Sequence, residues 1–133
     1  MAKVLITDYD FTDHALEQVI LDAAGITVAA GQIRTEDELV AAARDCDALL
    51  VQYVPVTERV VAALPRLGLV SRMGAGFDTV DTDACARHGI WVANSPDYGV
   101  GEVATHALAM ALAMMRNILA YHRDIGAGKW HFL

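Results

Sequence analysis

Leu67 to Asp78 reads LGLVSRMGAGFD, and how this stretch is read decides the fold. Its apolar run, Leu67, Gly68, Leu69 and Val70, stops at Ser71-Arg72-Met73 and turns through Gly74-Ala75-Gly76 into Phe77 and Asp78. A short apolar run ended by closely spaced glycines is the pattern of a buried strand whose exit lets main chain approach a ligand without Cβ atoms in the way. Successive N–H groups in such a turn can converge on an anion. The stretch is therefore expected to supply a strand and, at its end, a ligand-facing loop.

On either side, apolar runs alternate with segments of helical period. Lys3 to Thr7 reads as a first strand, apolar on both faces, as helices on both sides of a sheet require. Asp8, Tyr9 and Asp10 follow as a polar loop. Thr12 or Asp13 can cap a helix to about Ala24, with Leu16, Val19, Ile20 and Ala23 on one face and Gly25 as its stop. Ile26 to Ala30 is a second strand, Glu36 to Arg44 a helix capped by Thr35, and Ala48 to Gln52 a third strand. Thr57 to Ala63 is a third helix, ended by Pro65. Beyond the central stretch come a short helix from Asp81 or Thr82 to Arg87 and a fifth strand, Ile90 to Ala93. The loop Asn94 to Gly99 leads into a long helix from Val100 through Ala120 and on to Ile125.

Strands and helices alternating at this spacing imply right-handed crossovers and a parallel sheet. The expected fold is α/β and flavodoxin-like: one domain over residues 1–133, five parallel strands in the order 2-1-3-4-5, helices on both faces, and the long helix 100–125 at the end. Ligands of such sheets gather beyond the carboxyl ends of the strands. Asp8 to Asp10, Gln52 to Pro55, Arg72 to Asp78 and Asn94 to Gly99 all fall on that edge.

Composition narrows the classes of function. The chain has 133 residues, 55% of them hydrophobic, and 17 acidic against 10 basic side chains give a formal charge of −7. With Lys and Arg scattered, a nucleic-acid partner is not expected. The start, MAKVLITDYD, lacks a signal-peptide core, and the apolar stretch near the end contains Glu102, His106 and Arg116, which reads as a buried helix rather than a membrane span. Cys46 and Cys85 have no metal-ligand spacing and read as reduced thiols of a cytoplasmic protein.

The chemical motifs are few. Gly74-Ala75-Gly76 begins like a dinucleotide fingerprint, but Thr79 takes the third glycine position. Gly99-Val100-Gly101-Glu102-Val103-Ala104 matches G-x-G-x-x-A, yet six residues separate it from the preceding strand, so it reads as a helix entry. A general acid or base histidine needs an orienting carboxylate and a reach to substrate; of His14, His88, His106, His122 and His131, His106 has Glu102 one turn before it, which reads first as ordinary helix spacing, and the others carry a weaker signal still. No metal site is expected. The long helix is apolar almost all round, which calls for a second domain or another subunit against it.

SRMGAGFDTVD from Ser71, then HGIWVANSPDYGVGEVATHALAMALAMMRN and RDIGAGKW, resemble the N-terminal catalytic domain of the D-isomer-specific 2-hydroxyacid dehydrogenases. The similarity is greatest to the phosphoglycerate dehydrogenase and C-terminal-binding-protein branch. It implies hydride transfer between NAD(H) and a 2-hydroxy or 2-oxo acid, in a cleft between this domain and a Rossmann domain. Gly74, Ala75 and Gly76 would offer N–H groups to the substrate carboxylate, and Tyr53 would border the substrate. Ala75 and Val103 would lie beside the cofactor, through main-chain or apolar contact only, since some relatives carry Ser or Thr at 75 and Thr at 103. The resemblance also implies continuation past Trp130 into the Rossmann domain, which brings the catalytic Arg, Glu and His. No residue here matches those three, and His106 and His122 fall at non-catalytic positions.

The expectation is a substrate-binding piece without turnover or NAD binding of its own, associating as a homo-oligomer through the long helix, by exchange of that helix as one route. The alternative is a self-standing homodimeric scaffold of the same fold.

Overall fold

The computed structural model describes residues 1–130; His131 lies outside them. Five strands form one parallel sheet in the order β2-β1-β3-β4-β5: β1 (Lys3–Ile6), β2 (Thr27–Ala30), β3 (Ala48–Val51), β4 (Leu69–Arg72) and β5 (Trp91–Ala93). Between them lie α1 (Ala15–Ala23), α2 (Glu36–Ala43), α3 (Glu58–Ala63) and α4 (Thr82–Arg87). This is the expected topology. Because each crossover is right-handed and the order reverses after β2, α1 lies on one face of the sheet and α2, α3 and α4 on the other.

The core forms on the three-helix side. Leu5, Leu49, Val51 and Val70 from the strands meet Leu39 and Ala43 of α2, Val60 and Val61 of α3, and Cys85 of α4. Both cysteines are buried free thiols, and burial pushes each above its ordinary value of 9.0. The α2 start is set by the sequence: Thr35 accepts the Glu38 N–H while Glu38 reaches back to the Thr35 N–H, a complete capping box. On the opposite face α1 has no buried residue, and its Leu16, Val19 and Ile20 are exposed.

The central strand is displaced from its expected position. The apolar run suggested a strand ending at Val70, but the ladder pairs Leu69 through Arg72 with Ala48 through Val51. Leu67 N–H is committed to the Leu64 carbonyl and Gly68 N–H to that of Asp47. Those two residues therefore close the loop before the strand. Arg72, expected in the turn, becomes the last residue of β4.

The chain divides into two compact units, Met1–Pro96 and the residues from Asp97 onward. The second unit holds α5 (Val100–Met115) and α6 (Ile118–Gly126). The long helix expected over 100–125 is thus two, bent by 61°. Asn117 is the break, with φ of 52° in the left-handed region. Asn tolerates that conformation better than other residues with a Cβ. The apolar period runs unbroken through the bend, so the pattern gave no warning. Neither helix alone is long and apolar enough to cross a membrane.

Candidate functional site: the carboxyl edge of the sheet

At the end of β1 the side chain of Asp8 is fully buried. A buried carboxylate needs partners, and Asp8 has them. Its Oδ2 accepts the Tyr53 N–H at 2.7 Å, and its Oδ1 accepts the Gln52 N–H at 3.2 Å and the Thr7 hydroxyl at 2.6 Å. Arg34 Nη1 lies 3.8 Å from Oδ2. The loop leaving β3 is thereby fixed to the end of β1. Asp10 adds a second tie, since its N–H donates to Gln52 Oε1 at 3.0 Å and its carboxylate accepts the Tyr53 hydroxyl at 2.6 Å. Donation to Asp10 holds the half-exposed Tyr53 phenol above its ordinary value of 10.0.

The glycine turn follows β4 directly. Met73 N–H still bonds the Val51 carbonyl, and Gly74 N–H folds back onto Arg72 O at 3.0 Å. Gly74 is therefore spoken for as a donor. The N–H groups of Ala75 and Gly76 make no protein hydrogen bond among the described residues. Gly74 has φ of +149°, and a Cβ there would lie 1.6 Å from Arg72 Nη1. The backbone conformation requires glycine, and the missing Cβ leaves the space that the Arg72 guanidinium occupies. Arg72 Nε is buried without a partner, and the Arg72 charge works against the rise at Tyr53.

The loop after β5 closes the fourth side. Ser95 N–H donates to Gly74 O at 3.0 Å, and Asn94 Nδ2 donates to Ala75 O at 2.7 Å. Tyr53, Gly74, Ala75 and Gly76 thus belong to one edge of the first unit. Val103 belongs to α5 of the second unit, where its side chain is exposed. Sequence reasoning placed Asp8, Asp10, Arg72 and Asn94 on this edge but assigned none of them a task. The available signal was an acid immediately after the first apolar strand, at the one position where burial and charge conflict.

Two free amides and a guanidinium can hold an anion. They offer no proton transfer and no hydride. Nor do Gly99 and Gly101 form a dinucleotide cradle: neither has positive φ, and a Cβ on either would meet nothing within 4 Å. No group of three or more metal-ligating side chains occurs among the described residues.

With that geometry in hand, comparison with known proteins defines the class. Residues 4–126 match the D-isomer specific 2-hydroxyacid dehydrogenase, catalytic domain. The chain belongs to this family. It is 33% identical over 131 residues to a D-3-phosphoglycerate dehydrogenase of Synechocystis, covering 98% of this chain and 23% of the relative. A D-3-phosphoglycerate dehydrogenase of Mycobacterium tuberculosis is 40% identical over 95 residues, 71% of this chain and 18% of the relative. Among solved structures, the NAD+-bound 3-phosphoglycerate dehydrogenase of Entamoeba histolytica superposes with a TM-score of 0.71 at 27% identity, over 85% of this chain and 38% of that one. The chain therefore spans about a quarter or less of the curated relatives it matches.

Proposed function

We propose that this chain is the substrate-binding part of an NAD-dependent D-2-hydroxyacid dehydrogenase, and that it grips a 2-oxo or 2-hydroxy acid by its carboxylate. The observation that carries this reading is the pair of uncommitted amides at Ala75 and Gly76, in the turn that the Arg72 guanidinium crosses at Gly74. N–H groups aimed at a full negative charge bind about twice as strongly as those aimed at a neutral acceptor. Arg72 adds a positive charge, and Tyr53, held by Asp8 and Asp10, borders the acid. Hydride chemistry belongs to NAD when bound in the whole enzyme, with Ala75 and Val103 beside it.

The test is a titration of the 15N-labelled chain with pyruvate. Cross-peaks of Ala75 and Gly76 should move saturably, while chloride at equal ionic strength leaves them in place. Absence of any shift there refutes the reading. Addition of NADH and glyoxylate to this chain should give no enzymatic loss of nicotinamide absorbance.

Association through α5 is proposed with it. Val103, Leu108, Met110, Leu112, Met114 and Met115 are all about half exposed or more. Apolar surface on that scale favours a partner, and a second copy of the chain supplies one of matching character.

A further inference from the structure

The carbonyl groups of the glycine turn carry as much information as its amides. Gly74 O and Ala75 O both point to the loop after β5, one accepting from Ser95 N–H at 3.0 Å and the other from Asn94 Nδ2 at 2.7 Å. In a trans peptide the C=O and the following N–H point in opposite directions, and no peptide bond here is cis. Holding those two oxygens toward residues 94 and 95 therefore turns the next two hydrogens, on Ala75 and Gly76, to the far side together. This makes two consecutive donors face one anion.

The two ties differ in kind. The Ser95 tie is main chain and would survive most substitutions. The tie to Ala75 O depends on one side chain, and it sets the plane that carries the Gly76 N–H. We infer that Asn94 is a positioning residue for the carboxylate grip: by holding the Ala75 carbonyl it aims the Gly76 N–H at the bound acid. The inference rests on the proposed function above. Only a short side chain with a donor suits this position. Asp at 94 would lack the N–H and would place a negative charge against Ala75 O, turning that peptide away.

Asn94 is exposed, and its side chain makes one hydrogen bond among the described residues, so Asn94→Ala should leave the fold intact. Pyruvate is titrated into the full chain and into Asn94→Ala and Asn94→Asp, with 15N spectra and thermal unfolding recorded for each. The expected result for Asn94→Ala is an unchanged Tm and a pyruvate Kd raised about tenfold, the effect of losing one oriented donor to a charged group. Its Gly76 cross-peak should already be displaced without ligand, while that of Tyr53 stays in place. Asn94→Asp, which keeps the shape and loses the donor, should bind more weakly still. A Kd within twofold of wild type in either variant, or an unmoved Gly76 cross-peak in Asn94→Ala, overturns the inference while leaving the proposed site standing. If wild-type Ala75 and Gly76 ignore pyruvate, the site itself is refuted and the inference goes with it.

Discussion

Asp8 and Tyr53, 45 residues apart, are joined by a 2.7 Å hydrogen bond from the Tyr53 main-chain N–H to the buried carboxylate. The bond ties the loop after β3 to the end of β1. Asp8→Ala should leave the Gln52 and Tyr53 amides without their acceptor and cost about 2 to 3 kcal/mol. Urea unfolding measures the loss. Amide exchange at Gln52 and Tyr53 should quicken by more than the global change accounts for.

Gly74 and Gly76 look equivalent in G-A-G, but their surroundings differ. Gly74→Ala forces a Cβ into the left-handed side of φ and into the Arg72 guanidinium, whereas at Gly76 a Cβ would meet only Asp78 Oδ2 at 3.4 Å. Gly74→Ala should cost about 1 to 3 kcal/mol, and Gly76→Ala about 0.5 kcal/mol or less. Thermal unfolding of the two variants side by side separates them; equal losses would contradict the backbone conformation at Gly74.

Acid should weaken the fold through a defined set of carboxylates. Hydrogen bonds from the Arg34 and Thr35 main chain hold Glu38 below its ordinary 4.5, and Arg66 with the Lys3 main chain holds Asp47 below 3.8. A depressed carboxylate binds its proton more readily unfolded than folded, so its contribution is present above the unfolded value and is lost as pH falls through the folded one. Stability should be flat from neutral pH to about 5 and fall below that. In Glu38→Gln the fall should be shallower, as read from urea midpoints between pH 7 and pH 3.

Thr35→Ala removes the acceptor for the Glu38 N–H at the start of α2. The expected cost is about 1 kcal/mol, measured by thermal unfolding at neutral pH. Glu38 keeps its bonds to the Arg34 and Thr35 N–H groups in this variant but loses the Thr35 hydroxyl, so the fall in acid should be slightly shallower than in the wild type and less changed than in Glu38→Gln.

If α5 mediates association, two glutamates on its surface should abolish it. Leu108 and Met115 are seven residues apart, on one side of the helix, and both are exposed. Light scattering should report an oligomer for the wild-type chain and a monomer for Leu108→Glu/Met115→Glu. A monomeric wild type would exclude this mode of association.

The sequence alone determined the architecture. Alternating apolar runs and helical periods, Thr35 with Glu38 as a capping box, and glycines after the fourth run compel a parallel α/β sheet, because each depends on neighbours within a few residues. The place of a glycine turn directly after the fourth strand was legible for the same reason. Tertiary structure decided which groups in that loop are free to act. Gly74 N–H is consumed by Arg72, the Ala75 and Gly76 amides are aimed by Asn94 and Ser95, and Tyr53 is set by Asp8. These bonds join residues 19 to 45 positions apart or hinge on one dihedral. The bend at Asn117 is of the latter kind: a single left-handed residue in an unbroken apolar period leaves no trace in the pattern, since periodicity records which side chains are apolar and not the dihedral each one adopts.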